Sequence, residues 1–165
     1  MQSDWHAVWE PDSPVRYEEL QEDEGSSTVS SECVFIPATV SVARLQCVRL
    51  EGVRRVRIGS VWREQEVEVC RALQRCGGQL LSIHFETFNR LEERTPHELM
   101  SALCATPQLQ QLRMGLNNTT THLPSQQLLQ TIAKLPLRCW RIRTFDDTDE
   151  HAVLLAATVR LLLPT

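Results

Sequence analysis

Leu109-Gln110-Gln111-Leu112-Arg113-Met114 reads apolar-x-x-apolar-x-apolar. The same pattern stands at Val53-Arg54-Arg55-Val56-Arg57-Ile58, Leu80-Leu81-Ser82-Ile83-His84-Phe85 and Leu137-Arg138-Cys139-Trp140-Arg141-Ile142. Successive copies begin 27, 29 and 28 residues apart. A near-constant period of this length marks stacked supersecondary units, each too small to bury its own apolar face. Within a copy the last two apolar residues are two apart, so they point to one face of a strand and the residues between them to the other.

The segments between copies carry helical spacing. In the second unit Thr95-Pro96-His97-Glu98 reads as a helix start, with threonine as N-cap, proline in the first turn and glutamate closing a capping box. Leu99, Met100 and Leu103 follow on one face, and Leu128, Leu129 and Ile132 answer at the same offsets in the third unit, after a start at Pro124-Ser125. The first unit offers Val69, Cys70 and Leu73 and stops at Cys76-Gly77-Gly78. The fourth places Asp146-Asp147-Thr148-Asp149 before Leu154, Leu155, Val159 and Leu162. Strands alternating with helices through connections this short pair in parallel, with right-handed crossovers.

From Val53 onward the chain resembles the leucine-rich repeat family, in the longer strand-plus-helix form similar to ribonuclease inhibitor and to the repeat regions of F-box receptors. Ser101-Ala-Leu-Cys-Ala-Thr-Pro-Gln-Leu-Gln-Gln-Leu-Arg-Met114 carries the likeness best. The family places Asn or Cys eight residues after the first leucine; Asn117 fills that place here, whereas Val61, Phe88 and Phe145 stand there in the other copies. The resemblance implies an α/β fold, a short leucine-rich-repeat solenoid with parallel strands on the concave face and helices on the convex face. It also implies a non-catalytic scaffold for protein–protein interaction. An F-box role is not supported, because residues 1–52 hold no recognisable F-box helix set.

Outside the repeats the composition changes. Residues 1–32 hold nine acidic groups and one arginine (−8), whereas 33–165 hold twelve acidic and sixteen basic groups (+4), and Lys134 is the one lysine. Residues 1–31 are too polar and turn-rich to offset their ordering entropy and are expected to form an acidic, mostly disordered tail. Trp5, Val8 and Trp9 are spaced to share a helical face there, as a docking motif or a contact back onto the domain. Residues 32–165 form the expected repeat domain, with 32–52 as an N-terminal cap and about four repeats from residue 53. In the cap, Val40, Val42, Leu45 and Val48 suit a strand followed by a helical turn, or one short helix.

Strand alternation places Arg55, Arg57, Ser82, His84, Glu86, Gln111, Arg113, Cys139, Arg141 and Arg143 on one outward strip. Five of these are arginines and one is a glutamate, and guanidinium forks suit carboxylates or phosphates. Arg55, Arg57, His84, Glu86, Gln111, Arg113, Arg141 and Arg143 are therefore the expected partner-binding residues, and an acidic protein surface or segment is the expected partner. The acidic stretch Glu18 to Glu24 is a candidate to lie across the strip and compete with that partner.

Two alternatives are weighed against this reading. One is a structural subunit of a larger assembly that docks through open ends, since Leu161-Leu162-Leu163 close the chain with apolar surface. The other is nucleic-acid binding through the arginines, disfavoured by the net charge of −4 and by the lack of stacking aromatics on the strip, Trp140 pointing to the core.

No catalytic, cofactor or metal site is expected. His84 with Glu86, and His97 with Glu98, lack a second metal-spaced histidine or a nucleophile motif. Cys139 beside Arg141 lacks a placed base. The six cysteines show no C-x-x-C pair, and Cys70, Cys76 and Cys104 stand at apolar helix positions, as inert thiols do. No apolar run reaches the roughly 18 residues of a membrane span, and the N-terminus lacks the basic and apolar regions of a signal peptide. A cytoplasmic or nuclear setting is the expectation.

Overall fold

A computed structural model describes residues 15–22, 29–61, 63–89, 97–117 and 126–144. Among the described residues, six strands occupy Glu18–Glu19 (β1), Cys33–Ile36 (β2), Arg55–Val61 (β3), Ser82–Asn89 (β4), Gln111–Asn117 (β5) and Cys139–Thr144 (β6). Four α-helices among the same residues occupy Val42–Cys47 (α1), Arg63–Arg75 (α2), His97–Cys104 (α3) and Gln126–Ala133 (α4). The strands form one sheet in the order β1-β2-β3-β4-β5-β6, and every neighbouring pair is parallel. The fold is α/β with a six-stranded parallel sheet, and β3 to β6 are the four copies of the six-residue pattern.

The pattern forms strands because its alternating residues find one shared core. Val34, Ile36, Val56, Ile58, Ile83, Phe85, Leu112 and Met114 are each at most 2 % exposed. They pack in a single cluster with Leu45, Val69, Cys70, Leu73, Leu99, Leu103, Leu128 and Ile132 of the helices. Burying one such side chain contributes about 1.5–3 kcal/mol, more than any local preference of these short segments supplies. The first apolar residue of each copy plugs the turn into its strand: Val53, Leu80 and Leu109 are fully buried, and Leu137 packs against the same cluster.

One backbone motif recurs at each strand entrance. The Glu32 carbonyl accepts from Arg54 N–H and Arg55 N–H, and Arg54 does the same for Leu81 and Ser82. Leu81 repeats it for Gln110 and Gln111, and Gln110 for Arg138 and Cys139, all at 2.8–3.1 Å. Four successive units thus enter the sheet through the same hydrogen bonds, although 22 residues separate Glu32 from Arg54 and 27 to 29 separate the later pairs.

The ends of the sequence-expected elements are placed by local chemistry. Gly77, at φ +72°, stops α2 as the Cys76-Gly77-Gly78 stretch indicates. Ser41 caps α1 by accepting from Arg44 N–H at 3.1 Å. Arg75 of α2 donates to the carbonyls of Leu45 and Gln46, closing the other end of that six-residue helix. The expected starts at Thr95-Pro96, Pro124-Ser125 and Asp146–Asp149, and the helix expected over Leu154 to Leu162, lie outside the described residues.

The structure differs from the sequence reading at the N-terminal end. Residues 32–52 hold a strand, Cys33–Ile36 (β2), and then Val42–Cys47 (α1), the second of the two forms weighed for Val40 to Val48, one short helix. The acidic segment described at 15–22 and 29–31 is part of the fold. Glu18 and Glu19 pair in parallel with Val34 and Phe35, and Leu20 and Val29 are 4 % and 8 % exposed within the core cluster. The acidic side chains suit this because they find donors: Glu18 accepts from Ser31 N–H at 3.0 Å and Glu22 from Ser41 N–H at 2.9 Å. Trp5, Val8 and Trp9 lie outside the described residues. Among the cysteines, Cys70 and Cys76 are buried, and burial pushes both thiols up to about 12. Cys104, expected among the apolar positions, is exposed instead, as is Cys47.

Candidate functional site

The face of the sheet opposite the core carries the residues between the apolar ones. Register, and not proximity in sequence, assembles them. Cys33, Arg55, Ser82, Gln111 and Cys139 are paired in turn across β2 to β6. The next outward row is Glu19, Phe35, Arg57, His84, Arg113 and Arg141 across all six strands. Parallel neighbours stand about 4.8 Å apart, so Arg57 and Arg113 flank His84 on either side. The expected residues Arg55, Arg57, His84, Gln111, Arg113 and Arg141 thus share two adjacent rows. Arg143 lies further along, opposite Gly115. Of Arg141 and Arg143 only the backbone is described.

Glu86 reaches its place through an irregularity. Between Phe85 and Phe88 the β4–β5 register shifts, so Glu86 and Thr87 face Gly115 alone. The Glu86 carboxylate pairs with the Arg57 guanidinium, accepting from Nε and standing in ion-pair contact with a terminal nitrogen. Arg57 also lies over the Phe35 ring, 5.6 Å from its centroid. One arginine of the strip is therefore held from two sides.

The long side chains alternate with short ones. Ser82 lies between the arginine and glutamine of its row and Cys139 ends the row beyond the glutamine; each is 2 % exposed, so Cys139 is not presented as an open nucleophile. His84 is half-buried, and its imidazole is pushed down to about 4 by burial first and then by the Arg113 and Arg57 cations. It is neutral at pH 7. Burial likewise raises the Cys33 thiol, against the opposing pull of Arg55.

The sequence reading missed the part of this face supplied by β1 and β2. Tyr17, just before β1, is half-buried; burial raises its phenol, while the Arg55 and Arg57 cations pull the other way. Phe35 is the seat of Arg57. The available signal was the alternation of Val34 and Ile36, with Ser31 where the later copies have an apolar residue; Ser31 Oγ instead bonds the backbone of Cys33 at 3.0–3.1 Å.

The acidic stretch does not lie across the arginines where it is described. Glu18 is bound to Ser30 and Ser31, Glu19 sits at the sheet's edge, and Glu22 is held at the start of α1, in the helix layer. Asp23 and Glu24 lie outside the described residues.

Elsewhere, a shallow depression of about 530 Å³ between α1 and α2 is lined by Gln46, Glu68, Arg71, Gln74 and Arg75. Its charged groups are already engaged, Arg71 with Glu68 at 2.9 Å and Arg75 with the end of α1. Among the described residues there is no cluster of three or more His, Cys, Asp or Glu suited to a metal ion, and no helix is long and apolar enough to cross a membrane.

No family model, curated protein or solved structure matches the chain.

Proposed function

We propose that this chain is a non-catalytic, leucine-rich-repeat-type scaffold whose outward sheet face docks an acidic segment of another protein. The observation that carries the reading is the register: Arg55 with Gln111 in one row, and Arg57 with Arg113 in the next, each pair flanking a smaller or neutral residue. Cations about 10 Å apart across two strands suit carboxylates carried about three residues apart on an extended chain. Their attraction is the kind that orients and selects a ligand as much as it tightens it. The recurring strand-entrance hydrogen bonds favour a solenoid, in which this face is the concave one.

Binding of a labelled octa-aspartate peptide, read by fluorescence anisotropy, tests the proposal. The native chain binds at low ionic strength and releases the peptide as salt rises, because contacts at an open face are screened. Arg55→Glu with Arg113→Glu weakens binding by about a hundredfold, since two charge-assisted contacts are each worth about 1.5 kcal/mol and about 1.4 kcal/mol is tenfold. A well-folded double variant that binds as the native chain does refutes the reading. Tighter, steeply salt-dependent binding to an oligonucleotide moves it to phosphate backbones.

A further inference from the structure

We propose that capture of an acidic segment by this face is coupled to proton uptake at His84, so that the complex tightens as pH falls from neutral toward about 5. The inference rests on the docking reading above and adds a regulator to it.

Its basis is the geometry around the imidazole. Arg55 and Arg57 face His84 from β3, Gln111 and Arg113 from β5, and Ser82 and Glu86 flank it on its own strand. The apolar side of the sheet, with the helices, is turned away. Two guanidinium groups thus bracket the imidazole in its own row, and the Glu86 carboxylate on its own strand is paired with Arg57. A third positive charge is disfavoured there by burial first and then by repulsion, which together hold the group at about 4.

An anionic ligand reverses the second of these effects, the repulsion. A carboxylate laid over Arg57 and Arg113 offsets the two cations and offers the imidazolium an acceptor. An opposite charge within about 4–6 Å raises such a group by 1–3 units. The sign follows from linkage. Because the bound form holds its proton more tightly than the free form, the complex takes up a proton, and affinity increases below the bound-state value until the free site also protonates. A rise of two units, from about 4 to about 6, makes binding about tenfold tighter at pH 5.0 than at pH 7.5.

The test uses the whole chain and the octa-aspartate peptide at fixed ionic strength. Affinity is measured at both pH values for the native chain and for His84→Gln. Titration of the peptide itself is common to both proteins, so the ratio between them isolates the imidazole. The expected result is a gain of about tenfold for the native chain beyond that of the variant. In parallel, the His84 ring proton resonance is followed from pH 3 to 8 with and without peptide. This needs no variant and is expected to move its midpoint upward when the peptide is bound. Equal pH ratios in the two proteins, or an unmoved midpoint with peptide bound, overturn the coupling and leave the docking reading standing. Absence of peptide binding at either pH overturns both.

Discussion

Shortening Leu20 to alanine separates a folded N-terminal segment from a detached acidic tail. Leu20 is 4 % exposed, follows the two-residue strand β1, and donates its N–H to the Phe35 carbonyl at 2.8 Å. Buried leucine-to-alanine changes cost about 2–5 kcal/mol. Leu20 is at the rim of the core, where neighbours can relax into the gap, so the low end applies, about 2 kcal/mol. With a urea slope of about 2 kcal/mol per molar, the midpoint of unfolding falls by about 1 M. Were the segment to open by itself before the rest unfolds, the loss would be read locally, and amide exchange covers that case. Protection would then fall at the amides of Leu20 and Val29, whose N–H groups donate to Phe35 and Arg49, while Ile58 in the central sheet keeps its own. A Leu20→Ala variant with the native midpoint and native protection at both amides would refute the placement of this segment in the fold.

Two other substitutions probe how the first units are joined. A Cβ at Gly59 would stand 3.0 Å from the backbone nitrogen of Ala38, so Gly59→Ala is expected to cost about 1–3 kcal/mol, seen as a lower thermal midpoint. Gly78→Ala, whose nearest atom would be a proline side chain at 3.8 Å, is the control and should melt within a degree or two of the native chain. Glu22 is held below the usual carboxylate range, chiefly by its hydrogen bonds to Ser41. Its contribution is present above the unfolded-state pKa and disappears as pH falls through the lower folded-state one. Glu22→Gln should therefore melt below the native chain at pH 6–7, with the two curves converging in acid; a gap that persists unchanged at pH 3 would contradict this.

Much of the fold can be read from the chain because its information is periodic. The pattern from Val53 to Ile142 names β3 to β6, and the same spacing places Arg57, His84 and Arg113 on the outward side. Two of the helix faces, Leu99 with Leu103 and Leu128 with Ile132, follow from their offsets, and all four residues are buried. The reading failed where burial is supplied by distant residues. Tyr17 to Glu22 looks like a solvated acidic run because its own composition contains little to bury. Leu20 and Val29 find their partners only once β2 and α1 are in place.

Sequence by itself therefore determined the alternation of strand and helix, the aliphatic side of each strand and the excess of arginine on the other, because these depend on the side-chain period of two and on local composition. Tertiary structure alone decided that the register shifts between β4 and β5, that Glu18 and Glu22 fasten an edge instead of covering the arginines, and that Arg57 is tied to Glu86 and Phe35. The physical reason is that a charge's partner is set by distances across hydrogen-bonded strands. Those distances join residues 13 to 29 positions apart, as between Glu18 and Ser31 or Arg57 and Glu86, and no local pattern encodes them.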